Sequence, residues 1–256
     1  MKGISNMKKK ILALCLVVAL AVTAVVGGTL AYFTDTDKAE NVFTTGKVDI
    51  TLNETFDAET AKLLPGDENA IPKVINVTNN AEDAYVRLHI AFPADTLDYS
   101  KDAGLFEYNN LVHYNQKYAS MAPGQWNWTK TAEGVGGAHP GYPGNGNNYN
   151  AYTTTIDNTE YVVFVVTYMT RLEKGVNTTT DAIFQVYLDK YADTDDGETY
   201  TAPAGIDYRT KALSSNLNNY KIYVVAEGTQ AEGFDNAYTA LDTAFGTPGS
   251  YNPWAK

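Results

Sequence analysis

The chain has 256 residues, with 19 lysines and arginines against 30 aspartates and glutamates, and a formal net charge of −11. Four of the lysines and none of the acids precede residue 32, so the remainder carries 15 basic and 30 acidic groups. This excess of negative charge argues against nucleic acid and anionic lipid as partners, because both need basic patches. The single cysteine, Cys15, lies in the same first segment. Its position excludes disulfides and thiolate metal sites from residues 32–256.

The first 31 residues have the three parts of a secretory signal peptide. A basic stretch within the first ten residues precedes an apolar run over residues 11–26, and Thr29 and Ala31 are small residues at the −3 and −1 positions. The run is short for a membrane span, which needs roughly 18 to 20 residues. We therefore predict cleavage between Ala31 and Tyr32, which leaves a secreted protein with no membrane attachment. An uncleaved membrane anchor is the alternative.

Alternation of apolar and polar residues dominates the chain after the signal and predicts β-strands. It occurs over residues 48–52, 84–92, 183–188 and 220–227, and residues 73–78 form a further strand after a predicted type II turn centred on Pro65 and Gly66. Residues 161–169 are apolar at both parities except Thr167, which predicts a central strand covered on both faces. These features predict an all-β protein whose strands form an antiparallel β-sandwich.

Helix signals are few, and we predict one domain over residues 32–256. Phe234, Tyr238, Leu241 and Phe245 form one helical stripe, with Asp235 as the candidate cap. Short helices are also predicted at residues 57–63 and 208–213. Residues from about 105 to 155 are rich in glycine, asparagine and tyrosine, which predicts a long loop-rich insertion between strands of the sandwich.

Candidate catalytic and metal-binding residues are sparse. His89, His113 and His139 are scattered and lack the paired spacing of many zinc proteases, so we interpret them as surface residues. Changing all three to alanine is therefore expected to leave assembly intact. The acidic cluster at residues 193–198 does not have the glycine position of a calcium-binding EF-hand loop, which favours a solvated turn. No nucleophile motif is present, and we predict no cofactor, no metal site and no catalytic residue.

Aromatic residues in the predicted insertion allow two interpretations. They are Trp126, Trp128, Tyr142, Tyr149 and Tyr152. Aromatic rings beside asparagine side chains provide a surface for sugars or for another protein. The alternative, which we favour, is that these rings hold the insertion against the sandwich.

Several short motifs together resemble the TasA/camelysin family of exported Gram-positive biofilm-matrix fibre proteins. They are the Gly-Gly-Thr-Leu-Ala signal exit followed by Tyr-Phe-Thr-Asp, the stretch 43–50, the turn 64–67, the Asn79-Asn80 pair and the stretch 225–234. The resemblance implies a jelly-roll-like sandwich, processing by a dedicated signal peptidase and assembly into biofilm or surface fibres. Some relatives are described as metalloendopeptidases, but this sequence has no zinc motif onto which that activity can be carried.

These observations predict a secreted structural subunit that polymerises head to tail in the extracellular matrix or at the cell surface. The partners implied are further copies of itself and other matrix proteins. We predict that an N-terminal arm, residues 32–46, inserts as a strand into the neighbouring subunit through the apolar residues Tyr32, Phe33, Val42 and Phe43. Pairing of the arm within its own subunit is the alternative. The alternative functions are a metal-dependent endopeptidase of camelysin type and a monomeric glycan-binding adhesin.

Overall fold

The computed structural model describes residues 34–38, 48–56, 62–100, 104–105, 110–115, 126–128, 150–206, 209, 211–218 and 220–255. These residues form fourteen strands and one α-helix: β1 (Thr34–Lys38), β2 (Ile50–Thr55), β3 (Ile71–Asn79), β4 (Ala84–Pro93), β5 (Tyr99–Ser100), β6 (Gly104–Leu105), β7 (Val112–Asn115), β8 (Trp126–Asn127), β9 (Ala151–Ile156), β10 (Thr159–Tyr168), β11 (Ile183–Leu188), β12 (Thr199–Ala202), β13 (Leu213–Asn216), β14 (Tyr223–Gln230) and α1 (Ala237–Phe245). Short 3₁₀ turns lie at Asp67–Asn69 and Ala94–Thr96. Within this part of the chain, no helix has the length and apolar character needed to cross a bilayer.

Two antiparallel sheets form the sandwich. The first has the strand order β1-β14-β4-β10-β8, with β9 also paired to β10, and the second has the order β2-β3-β11-β7. Side chains from both sheets meet in one core, where Leu88, Ile90 and Phe164 of the first sheet pack with Ile75 and Val77 of the second. The predicted all-β antiparallel sandwich is therefore confirmed.

The central strands are buried on both faces. In β10 every residue from Tyr161 to Tyr168 is buried, and in β4 all ten residues are buried. The prediction of a central strand over residues 161–169 is therefore confirmed. The even-numbered residues of β4 face the core between the sheets, so its odd-numbered residues need a second covering layer on the opposite face.

The chain after β14 provides that layer. Helix α1 packs Ala240 and Leu241 against Tyr85 of β4, and Trp254 lies near Tyr161 and Tyr223 farther along the same face. The predicted helix is confirmed, but it begins at Ala237, so Phe234 of the predicted stripe lies before it, and the cap is different. The side chain of Asn236, not that of Asp235, accepts a hydrogen bond from the Thr239 amide at 3.0 Å.

Three local predictions are wrong or fall partly outside the described residues. Gly66 has φ 94° and ψ 146°, a glycine conformation that differs from the type II turn predicted there. Leu213 begins β13, so the helix predicted over residues 208–213 does not include it. Residues 57–61 of the other predicted short helix lie outside the described residues, and the remainder of that segment is not helical.

Within the range predicted as an insertion, β7, β8 and β9 are strands of the two main sheets.

Candidate functional site

Part of the N-terminal arm forms an edge of the first sheet. Strand β1 pairs antiparallel with β14, from Thr34 opposite Thr229 to Lys38 opposite Val225. In this structure residues 34–38 of the arm therefore pair within their own subunit, which is the alternative to insertion into a neighbour. The described strand coincides with the polar part of the arm. The other residues predicted for cleavage and assembly lie outside the described residues: Ala31, Tyr32, Phe33, Val42 and Phe43.

The core beside β1 is closed by other residues. Gly228 of β14 lies opposite Asp35, and a Cβ added to Gly228 would be only 3.0 Å from Cγ2 of Ile50 and 3.4 Å from Cγ1 of Val48. Both apolar side chains are completely buried. The glycine therefore allows the start of the second sheet to pack tightly against β14. The sequence of β1, Thr-Asp-Thr-Asp-Lys, contains no apolar residue.

A buried cluster of charged and polar residues lies on the opposite face of β14. Glu227 and Arg87 are cross-strand partners, and Oε2 of Glu227 accepts a hydrogen bond from Nε of Arg87 at 2.6 Å. The same oxygen lies 3.1 Å from Nε2 of His89. The hydroxyl of Tyr251 donates to the carboxylate of Glu227 at 2.7 Å. Arg87, His89 and Glu227 are between 0% and 2% exposed, so these contacts are shielded from solvent.

The same cluster attaches the C-terminal segment to the sheet. Arg87 donates from Nη1 to Oδ1 of Asp242 in α1 at 2.7 Å. Its Nη2 donates to the carbonyl of Gly246 at 3.0 Å and to the hydroxyl of Tyr251 at 2.8 Å. On the other side, Nδ1 of His89 lies 3.0 Å from the Tyr152 hydroxyl in β9. One buried arginine thus ties α1 and the residues after it to the middle of the first sheet.

The electrostatics of this cluster favour the charged forms of Glu227 and Arg87. Burial alone would raise the pKa of Glu227, but the hydrogen bond and charge of His89 and the charge of Arg87 outweigh burial and lower the pKa to about 2. Burial would lower the pKa of Arg87, yet the adjacent Glu227 carboxylate raises it above its ordinary value. Burial also raises the pKa of Tyr251. The tyrosine therefore remains a neutral donor, and the cluster is a fixed ion pair.

A second buried cluster lies at β7 and the end of β11 in the second sheet. Oδ2 of Asp189 accepts from Nη2 of Arg209 at 2.7 Å and lies 2.9 Å from Nε2 of His113, while Oδ1 accepts from the Tyr191 amide at 2.8 Å. Burial would raise the pKa of Asp189, but the hydrogen bonds from His113 and the Tyr191 amide lower it overall. The ring of His113 stacks on that of Tyr187 with centroids 5.0 Å apart.

The prediction of surface histidines is therefore wrong at two positions. His89 is completely buried and His113 is 4% exposed, because each imidazole is held by a carboxylate in a buried polar cluster. The available sequence signal was that each histidine lies on a strand. In both cases other parts of the chain cover the face of the strand that carries the histidine. His139 lies outside the described residues.

Neither cluster fits a zinc ion. Zinc needs about four nitrogen, sulfur or oxygen ligands, of which at least three come from protein side chains. Among the described residues, no group of three or more histidine, cysteine, aspartate or glutamate side chains has the arrangement to hold a metal. Each buried histidine instead has one carboxylate neighbour, and that carboxylate already binds an arginine less than 3 Å away. A second cation there would be repelled by the guanidinium group.

The acidic cluster at residues 193–198 forms a turn. Oδ1 of Asp196 accepts from the amides of Glu198 and Thr199 at 2.8 and 2.7 Å and from the Thr194 hydroxyl at 3.0 Å. These backbone donors lower the pKa of Asp196 to about 2. The loop thus directs its central carboxylate to its own backbone, as expected for a solvated turn.

The two tryptophans of the predicted insertion are core residues. Trp126 and Trp128 are 2% and 0% exposed, and both belong to the main core. The Trp126 indole donates to the Thr180 carbonyl at 2.9 Å, and Trp128 stacks on Tyr114. The interpretation that these rings hold the chain against the sandwich is confirmed for both. Tyr142 and Tyr149 lie outside the described residues.

Comparison with known proteins identifies a family that the N-terminal part of the chain resembles. Residues 6–91 match the family model described as camelysin metallo-endopeptidase. The first third of the chain is camelysin-like. The match runs from the predicted signal through β1, β2 and β3 into β4, so the resemblance found in the sequence motifs is confirmed over this stretch. No curated protein matches the chain, and no solved structure matches it. The peptidase activity belongs to the description of the camelysin family, and the described residues supply no metal site for it.

Proposed function

We propose that this camelysin-like protein is a secreted structural subunit that polymerises into extracellular fibres by exchanging its N-terminal arm between copies. The observation that carries the proposal is the contrast between β1 and its surroundings. β1 is an all-polar edge strand on β14, while the core beneath it is closed by Val48 and Ile50 packed at Gly228. Such a strand is held by backbone hydrogen bonds and can leave without opening the core.

An exchanged strand makes the same backbone hydrogen bonds in another copy. Pairing with β14 of the next subunit would replace the pairing within one chain, and few contacts would be lost because the same backbone hydrogen bonds form again. Because the contact joins two different surfaces, it does not close on itself and a filament grows head to tail. Before cleavage the arm would be attached to the signal segment, so assembly would wait for export by a dedicated signal peptidase. The fibre would lie in the matrix or at the cell surface, with other matrix proteins as further partners.

Electron microscopy of the purified protein starting at Tyr32 tests the proposal directly. We expect filaments whose length increases with protein concentration. A protein that remains monomeric at high concentration would contradict the proposal.

A second candidate, a metal-dependent endopeptidase, is favoured by the description of the matched family. It predicts bound zinc in the purified protein and cleavage of casein that a chelator abolishes. The structural role predicts filaments without either property. The third candidate, a monomeric adhesin, loses support because Trp126 and Trp128 are buried. Retention on glycan arrays by a monomeric protein would favour it.

A further inference from the structure

The outer face of the second sheet carries asparagine and threonine side chains where β2 meets β3. The alternate positions of these strands face the core, as Ile75 and Val77 do. We name the outward-facing set, together with two asparagines beside β3, the amide face. Its members are Thr51, Asn53, Asn76, Thr78, Asn80 and Asn177. Each of them is half-buried or exposed.

Hydrogen bonds join four of these side chains into one network. Asn53 lies opposite Asn76 in the register of β2 and β3, and its Nδ2 donates to Oδ1 of Asn76 at 2.9 Å. The same Nδ2 donates to Oγ1 of Thr78 at 2.8 Å, and the Thr78 hydroxyl donates to Oδ1 of Asn177 at 2.6 Å. The side chains are therefore held in place before a partner binds, which lowers the entropy that binding would cost.

Strand formation alone does not account for the asparagines in these two strands. Asparagine is depleted in β-strands, because its short amide side chain bonds to nearby backbone groups and favours turns. Asn53 and Asn76 nevertheless lie side by side within β2 and β3. Positions where a sequence goes against its local preference are expected to be functional or strained sites. Neither asparagine has the positive φ angle of a strained backbone, which points to a functional reason.

The amide face is uncharged, whereas residues 32–256 carry 15 basic and 30 acidic groups. Two carboxylates lie at its margins. Asp181 accepts from Nδ2 of Asn76 at 3.1 Å, and Asp49 lies 3.4 Å from Nδ2 of Asn80, which also donates to the Thr51 hydroxyl at 2.8 Å. An ionic partner would gain no opposite charge on this face. An apolar partner would bury amides and hydroxyls without giving them hydrogen bonds, which costs free energy.

We propose that the amide face binds an uncharged polysaccharide that lies along β2 and β3. Sugar hydroxyl groups both donate and accept hydrogen bonds, as amides and threonine hydroxyls do. Side chains on one face of a sheet repeat at about 4.8 Å across the strands and about 6.7 Å along them, so the face offers a repeating set of partners to a polymer with a repeating unit. The amide face contains no residue of the N-terminal arm, so this inference goes beyond the proposed function and does not depend on it.

Fluorescence anisotropy of labelled oligosaccharides tests the proposal in the protein starting at Tyr32. The probes are oligosaccharides from a β-glucan, a galactomannan and dextran, which are uncharged, with oligogalacturonate as the charged comparison. Anisotropy rises on binding to subunits and to fibres alike, so the readout does not require polymerisation. We expect saturable binding of at least one uncharged probe and no binding of oligogalacturonate. Raising the salt concentration from about 0.05 M to about 0.5 M should leave binding unchanged, because no ion pair is formed.

Substitutions locate the binding on the amide face. Asn53→Ala combined with Asn76→Ala should weaken binding by about tenfold or more, because two amides that contact the probe are lost. Asn177→Ala, outside the two strands, should also weaken binding and serves as the test if the paired variant fails to fold. Asn218→Ala changes an exposed asparagine between β13 and β14 and should have no effect. Circular dichroism and thermal melting check that each variant keeps the fold.

Failure to bind any uncharged probe would overturn the inference, as would folded variants of Asn53, Asn76 and Asn177 that bind like the parent protein. Binding that disappears at high salt would also overturn it, since ion pairs would then carry the interaction. If the paired variant changes the sedimentation coefficient of the protein without probe, the face is a contact between copies and the inference is wrong. A protein that binds the probe but forms no fibres would support the inference and contradict only the proposed function.

Discussion

The buried arginine beneath the C-terminal segment allows a stability prediction with an internal control. Arg87 pairs with two carboxylates at nearly equal distances, Glu227 at 2.6 Å and Asp242 at 2.7 Å. Their environments differ, because the side chain of Glu227 is 1% exposed and that of Asp242 is 39% exposed. Neutralising each carboxylate in turn therefore compares a buried ion pair with a half-exposed one around the same guanidinium group.

We expect Glu227→Gln to lower the free energy of unfolding by about 3 kcal/mol. Removing one partner of a buried pair costs about 3–5 kcal/mol, since the other charge stays buried. The lower end applies here because Asp242, the Gly246 carbonyl and the Tyr251 hydroxyl still contact Arg87. Asp242→Asn should cost less than about 1 kcal/mol, because solvent screens an exposed pair.

Urea or guanidinium denaturation of the two variants and the parent protein, followed by circular dichroism, measures both values. The reasoning would be refuted if Glu227→Gln were no more destabilising than Asp242→Asn.

Three further predictions concern Glu227, the buried histidines and the signal peptide. Folding lowers the pKa of Glu227 from 4.5 to about 2, so its contribution to stability is complete above pH 4.5 and is lost as the pH falls towards 2. Thermal unfolding between pH 6 and 2 should show this loss, and the loss should be smaller in Glu227→Gln. His89→Ala and His113→Ala should each destabilise the protein by about 2 kcal/mol, contrary to the expectation for surface residues, and unchanged melting of both variants would contradict their buried positions. Mass spectrometry of secreted protein should find Tyr32 as the first residue, whereas a membrane-bound chain that retains Met1 would contradict the signal assignment.

The sequence predicted the strands that have strong apolar patterns. Alternation over residues 84–92 identified β4 and its core face, and the apolar run over residues 161–169 identified β10 as central. Strand β9 was missed, because Thr153, Thr154 and Thr155 hide its alternation. Its turn did carry a signal. Asp157 and Asn158 have positive φ angles of 48° and 65°, which these two residue types tolerate better than most, as in tight hairpins.

The buried polar clusters could not be predicted from local patterns. Arg87 and Glu227 are 140 positions apart in the chain, and His113 and Asp189 are 76 apart. A charged residue at the polar parity of a strand reads as solvent-exposed unless the covering layer is known. Here that layer comes from α1 and the segment after it, whose position on the sheet depends on the tertiary fold. The surface assignment of His89 failed for this reason.

The most direct test of the central claim is a protein that starts at Lys47 and lacks the N-terminal arm. Val48, Ile50 and Gly228 remain in it, so the core beside β14 should stay closed and circular dichroism should match that of the protein starting at Tyr32. Electron microscopy should then show no fibres, because no strand is left to exchange. Fibres of normal length from this folded truncation would contradict the account.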